Sequence, residues 1–191
     1  MKYKIGISPC PNDTYIFEAI YSKKIGINNI EFEFVFEDVQ TLNQMASKNE
    51  IDIVKISYAH YFSVMQNYIL FTSGSALGKG VGPLLISKRE IEIGKIVNCN
   101  IAIPGKMTTA NFLLHYCFPF LKNTVEMSFE MIENAILNNV VDAGVIIHEN
   151  RFTYQQKGLK KIIDLGEYWE QKTNLPIPLG GIAIKRNIDT E

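Results

Sequence analysis

Four short stretches of this chain put polar side chains where an apolar strand gives way to a helix. In open α/β sheets, ligands settle beyond the carboxyl ends of strands. Helix N-termini there offer free N–H groups and the positive end of a dipole, which suits carboxylates and phosphates. The first stretch is Ser8-Pro9-Cys10-Pro11-Asn12-Asp13-Thr14. Its prolines fix the loop, and Asn12 or Asp13 can cap the next helix; alone, it reads as turn and cap chemistry. The second is Lys55-Ile56-Ser57. Lys55 ends an apolar strand, where a charge is costly unless exposed or paired, and Ser57 is a natural N-cap. Together they hold a carboxylate, or they are a surface lysine and a cap; both readings stand. The third is Ile103-Pro104-Gly105-Lys106-Met107-Thr108-Thr109-Ala110. Gly105 permits a tight turn, and Thr108 and Thr109 open a helix whose N–H groups and hydroxyls suit a carboxylate or hydroxyl ligand. The Gly-x-x-x-x-Gly-Lys-Ser/Thr spacing of a phosphate cradle is absent. The fourth is Gly144-Val145-Ile146-Ile147-His148-Glu149-Asn150-Arg151. An apolar run delivers His148 to the strand's end, where a neutral imidazole can act as general base. The alternative is a histidine that hydrogen-bonds and caps a helix.

Other chemistries find less support. His60 and His115 fall inside predicted helices and read as structural or exposed. The three cysteines, Cys10, Cys99 and Cys117, fit no zinc spacing, and no His-Glu-x-x-His occurs. No metal site is therefore expected. A dinucleotide fingerprint and a Gly-x-Ser-x-Gly elbow are also missing. Cys10 reads as packing. Trp169, with Tyr168 and Phe152, reads as an aromatic pocket lining or as core.

Strand and helix signals alternate, which argues for an α/β architecture. Strands are expected at Lys2–Ser8, Ile30–Phe36, Ile51–Ile56, Ile101–Ile103, Ala143–Ile147 and Lys161–Leu165. Helices are expected at Thr14–Ser22, Val39–Ser47, Tyr58–Met65, Thr109–Phe118, Glu130–Asn138 and Glu149–Lys157. Two segments look alike: Gly80–Arg89 and Leu179–Arg186 each pass from glycines through an apolar strand to a Lys-Arg pair. They read as crossings between two lobes, residues 1–87 plus 181–191 and residues 88–180, with a ligand cleft between. The competing reading is two ordinary strands of one continuous sheet.

Composition agrees with a globular chain. Of 191 residues, 47% are hydrophobic and 20% charged, enough to bury a core. A net charge of −1 with no basic run argues against nucleic acid and against an anionic membrane surface. The N-terminus, Met-Lys-Tyr-Lys-Ile-Gly-Ile, carries no secretory pattern, and no apolar run reaches the roughly 20 residues a membrane span needs. Three unpaired thiols suit a reducing cytoplasm.

Ser-Pro-Cys-Pro-Asn-Asp-Thr-Tyr-Ile-Phe at positions 8–17 resembles the N-terminal signature of the 1,4-dihydroxy-6-naphthoate synthase family. Four collinear stretches resemble the same family: Lys55-Ile56-Ser57, Pro104–Ala110, Asp142–Tyr154 and Leu175–Ile182. The resemblance implies a two-lobed periplasmic-binding-protein type 2 fold, with mixed sheets flanked by helices. It implies a cytoplasmic lyase of the futalosine route to menaquinone. That enzyme converts cyclic dehypoxanthinyl futalosine to 1,4-dihydroxy-6-naphthoate and releases dihydroxyacetone, without cofactor or metal. His148 would be the proton acceptor, and Lys55, Ile56, Ser57, Thr109 and Ala110 would contact the aromatic carboxylate substrate. Apart from the resemblance, the junctions themselves place Thr108 beside them at the helix start, and Asn12 or Asp13 is expected to orient substrate hydroxyls.

Family members continue past the Gly-Gly-Ile strand into further C-terminal helices, whereas this chain stops at Glu191. The expected fold therefore lacks those helices. An apolar patch left bare would favour a homo-oligomer or a complementing C-terminal fragment. The alternatives are a non-catalytic small-anion binding protein, which would carry a signal peptide or lipid anchor, and an inactive truncated copy. Chorismate dehydratase, on the same fold, is disfavoured by Thr108-Thr109-Ala110 and Ile147-His148-Glu149.

Overall fold

The computed structural model describes residues 1–26 and 29–188. The chain divides into two compact units, Met1–Ala76 with Leu179–Glu191, and Leu77–Pro178. Residues 189–191 of the expected first lobe lie outside the described residues.

The first unit begins β1 (Lys2–Ile7), α1 (Pro11–Tyr21), β2 (Glu31–Phe36), α2 (Val39–Ser47), β3 (Ile53–Ser57), α3 (Tyr58–Val64) and β4 (Tyr68–Leu70). A short β5 (Ala76–Gly78) leads onward. The second unit continues with β6 (Leu84–Ser87), a 3-10 turn at Ile93–Asn98, β7 (Ile101–Ile103), α4 (Thr109–Cys117), β8 (Thr124–Glu126) and α5 (Phe129–Leu137). Then come β9 (Ala143–Ile146), α6 (Asn150–Thr153), a 3-10 turn at Tyr154–Lys157, β10 (Lys160–Asp164), α7 (Leu165–Thr173) and β11 (Ile177–Lys185), which returns the chain to the first unit.

Each unit is built on a mixed sheet. The first runs β2-β1-β3-β11-β4, with β5 beside β11. β1 is parallel to β2 and β3, so the ends of β1 and β3 open toward the same edge; β11 is antiparallel to β3, with Gly180 opposite Ser57. The second runs β10-β6-β9-β7-β8. β7, β8, β9 and β10 run in one direction, while β6 lies antiparallel between β9 and β10. The carboxyl ends of β7 and β9 therefore share one edge with the start of β6 and the end of β10.

Apolar residues at strand and helix spacing build the cores. Leu42 and Ala46 of α2 meet Ile51, Val54, Ile56 and Tyr68 on one face of the first sheet. Ile5, Ile7, Phe17, Ile53, Ile182 and Ile184 fill the other face. In the second unit, Ile132 and Ile136 of α5 pack on Leu84, Ile86, Ala102 and Ile146. At Gly82 an added Cβ would lie 2.4 Å from the Gly166 Cα. Only glycine lets the backbones entering β6 and α7 touch so closely.

Several boundaries differ from expectation. α1 starts at Pro11 rather than Thr14, because proline at the first helical position is pre-set for the turn. Asn12 and Asp13 consequently lie inside the first turn, and Cys10 takes the cap position without a capping bond from its side chain. The expected helix Glu149–Lys157 breaks into α6 and a 3-10 turn that ends on left-handed Gly158. α7 escaped the sequence pattern because only Leu165 and Gly166 of it are buried. Phe152 is 71% exposed and stands apart from the aromatic cluster, which instead joins Trp169 and Tyr168 to Phe112 and Tyr116 of α4.

Candidate functional site

Polar groups gather at the carboxyl edge of the first sheet, just past β1 and β3. Lys55 Nζ lies 2.7 Å from Asp13 Oδ1, with side chains 12% and 4% exposed. The other Asp13 oxygen accepts from Ser8 Oγ at 2.6 Å and from the Ser8 N–H at 3.2 Å. A buried carboxylate is costly unless paired and hydrogen-bonded, and Asp13 is both. Its place in the first turn of α1 adds a favourable dipole. Lys55 gives one of its three ammonium donors to Asp13. Its charge at the strand end is thus paired, as burial demands.

Ser57 heads α3 without capping it through its side chain. Its N–H donates to Asn43 Oδ1, and its hydroxyl accepts from Asn43 Nδ2, both at 3.0 Å. Asn43 is fully buried on α2. The serine oxygen is engaged by this clamp, which turns the hydroxyl hydrogen into the group left to donate. Ile56 is fully buried, within the β3–β11 ladder. Gly180 of β11 fits beside it because a Cβ there would lie 2.7 Å from the Ile56 carbonyl oxygen. Asn12, next to Asp13, is exposed. Asn43 was not singled out by sequence; its signal is an amide on the apolar stripe of α2, between Leu42 and Ala46.

His60 lies deeper, in α3, with Nε2 2.8 Å from Ser47 Oγ. Burial holds its pKa below the usual value, against a smaller opposing effect of the Asn43 backbone. It belongs to the packing beneath the edge, as a structural histidine.

In the second unit, Gly105 (φ 146) turns the chain after β7, and Thr108 caps α4 as expected. The Thr108 hydroxyl donates to the Gly105 carbonyl at 2.7 Å and accepts from the Asn111 N–H at 3.2 Å. Thr108, Thr109 and Ala110 are all buried. The cap fixes the first turn of α4, where the helix dipole is positive.

His148 follows β9 on the same edge of the sheet. It is exposed, and its backbone is left-handed, with φ 57. For an L-residue that conformation costs about 1–2 kcal/mol. Such strain gathers at functional sites. The imidazole meets the Phe129 ring edge-on at 5.3 Å between centroids. His148 does not cap α6, whose cap position belongs to Glu149. Within this unit the structure brings His148 and the Thr108–Ala110 turn to one sheet edge; within the first it brings Asp13, Lys55 and Ser57 to another. No cluster of side chains suited to a metal occurs among the described residues. No helix among them is long and apolar enough to cross a membrane.

Comparison with known proteins shows the family and the fold. The chain is 41% identical over 186 residues to the 1,4-dihydroxy-6-naphthoate synthase of Thermus thermophilus, covering 97% of this chain and 66% of that protein. The chain thus spans just under two thirds of that relative's length. A crystal structure of an Archaeoglobus fulgidus protein superposes with a TM-score of 0.91 at 36% identity, covering 99% of this chain and 70% of that one. The alkanesulfonate-binding protein SsuA of Xanthomonas axonopodis pv. citri gives a TM-score of 0.73 at 10% identity, over 97% of this chain and 65% of that one, a likeness of fold. The fold is the periplasmic-binding-protein type 2 fold, as the sequence resemblance implied. The family model for menaquinone biosynthesis matches residues 3–191, and the chain belongs to that family.

Proposed function

We propose that this chain carries the chemistry of a 1,4-dihydroxy-6-naphthoate synthase, a carbon–carbon lyase acting on cyclic dehypoxanthinyl futalosine in menaquinone biosynthesis. The observation that carries the reading is His148: an exposed imidazole on a strained left-handed residue at the carboxyl end of β9. Strained backbone of this kind gathers at functional sites, and a general base has reason to stand there. His148 removes a proton from the substrate. The electron pair drives carbon–carbon cleavage, the sugar remnant departs as dihydroxyacetone, and aromatisation of the new ring supplies driving force.

The remaining residues bind. The substrate is a small aromatic carboxylate. Lys55 brings a cation and Ser57 a hydroxyl donor, with the Ile56 backbone between them. Thr108, Thr109 and Ala110 bring the start of α4, with the positive end of its dipole. Asp13 anchors Lys55, and Asn12 or Asp13 orients substrate hydroxyls. A cytoplasmic setting and chemistry without cofactor belong to the same reading. The test is incubation of the purified chain with cyclic dehypoxanthinyl futalosine. Naphthoate and dihydroxyacetone in equal amounts support the lyase; bound, unchanged substrate would reduce the chain to an anion-binding protein.

A further inference from the structure

We propose that Arg151 is a positioning residue for His148, holding the left-handed turn that presents the imidazole. The inference rests on the reading of His148 as general base. The segment around His148 cannot hold itself. α6 has four residues, none of them buried, and its cap position makes no side-chain bond. A single turn of that kind has no helical cooperativity to draw on, and no apolar side chain of α6 ties it to the core. Yet His148 keeps a backbone conformation that L-residues disfavour. Something polar must over-determine it.

Arg151 supplies that hold. Its backbone N–H donates to the His148 carbonyl at 3.4 Å. Its guanidinium donates to the carbonyl oxygens of Gly82 and Gly80 and, at 2.8 Å, to Asp164 Oδ2. The side chains of Arg151 and Asp164 are 15% and 9% exposed, so water screens the pair weakly. Asp164 is itself fixed, because its other oxygen caps α7 through the N–H groups of Gly166 and Glu167. The guanidinium fork thus fastens the residue three places after His148 to the entry of β6 and the end of β10. A second tie, from Asn150 Nδ2 to Glu133 Oε2 at 3.0 Å, fastens the intervening residue to α5. The helix carrying Glu133 also carries Phe129, whose ring meets the imidazole. A lysine keeps Arg151's charge but cannot reproduce its planar fork.

The test pairs kinetics with a direct view of the imidazole. Three histidines make the ring signals of His148 assignable by comparison with His148→Ala. In the full chain, Arg151→Lys should lower kcat by roughly tenfold or more while KM moves less than about twofold. The same variant should lose the cross-peak between the His148 and Phe129 rings. Asp164→Asn, which keeps the capping oxygen, should show both effects in smaller measure, and it serves if Arg151→Lys does not fold. A variant that melts earlier yet keeps wild-type kcat and the ring cross-peak would overturn the proposal, leaving Arg151 a brace of the second sheet. If the wild-type chain makes no naphthoate, the lyase reading fails separately, and the cross-peak alone still decides whether Arg151 holds the turn.

Discussion

The two polar edges are built in opposite ways. At the first, Asp13, Ser8 and Lys55 satisfy one another under cover, and Ser57 is clamped by a buried asparagine. At the second, His148 stands in the open on a strained residue whose helix buries nothing. A group that only binds charge gains from a rigid, pre-paired frame. On the proposed reading His148 moves a proton, which needs access and reach, and local strain there is the accompanying cost. The difference separates stability from activity, so substitutions at the two edges should fail in different ways.

The largest effect on folding is expected at the first edge. Asp13→Ala leaves the Lys55 ammonium buried without its partner, which should cost about 3–5 kcal/mol in chemical denaturation. A loss below about 1 kcal/mol would mean that water reaches the pair freely. His148→Gly should do the reverse: it relieves a left-handed L-residue and should leave stability unchanged or raise it by up to about 1 kcal/mol, while turnover collapses. A destabilised glycine variant would show that the imidazole is packing rather than chemistry.

Asn43→Ala comes next. Removing an amide that satisfies two Ser57 groups should cost about 1–3 kcal/mol and weaken substrate binding more than kcat. The smallest effect is pH-dependent. The folded pKa of His60 lies below its usual 6.5 because of burial. The unfolded chain then binds the extra proton first, so stability falls as pH drops through about 6.5 toward the lower folded value. Melting temperatures at about pH 7.5 and about pH 5.5 should differ more for wild type than for His60→Gln. Equal differences would place the titration elsewhere.

The strand-to-helix rule was enough to find the four junctions, because apolar runs ending in Ser, Thr, Lys or His are local signals. Val39–Ser47 was readable for the same reason: Asp38 caps it, and Leu42, Asn43 and Ala46 fall on one face. What sequence could not show was who meets whom. Asp13 and Lys55 are 42 positions apart, and nothing local says that an acid inside one helix turn will anchor a lysine on another strand. Ser57 likewise looked like a plain cap, yet its oxygen turns to Asn43 instead of its own helix. The left-handed backbone of His148 was also invisible, since an apolar run predicts an extended chain up to Ile147. Arg151 lay in plain sight beside the histidine, but its carbonyl partners at Gly80 and Gly82 depend on the antiparallel pairing of β6 with β9.

The most direct test of the account is turnover of cyclic dehypoxanthinyl futalosine by wild-type chain and by His148→Ala, both verified as folded. The account predicts naphthoate from the wild type and a loss of roughly a hundredfold to ten-thousandfold in kcat for the variant, the range expected when a general base is removed. Equal rates for the two proteins would contradict it and remove His148 from the chemistry.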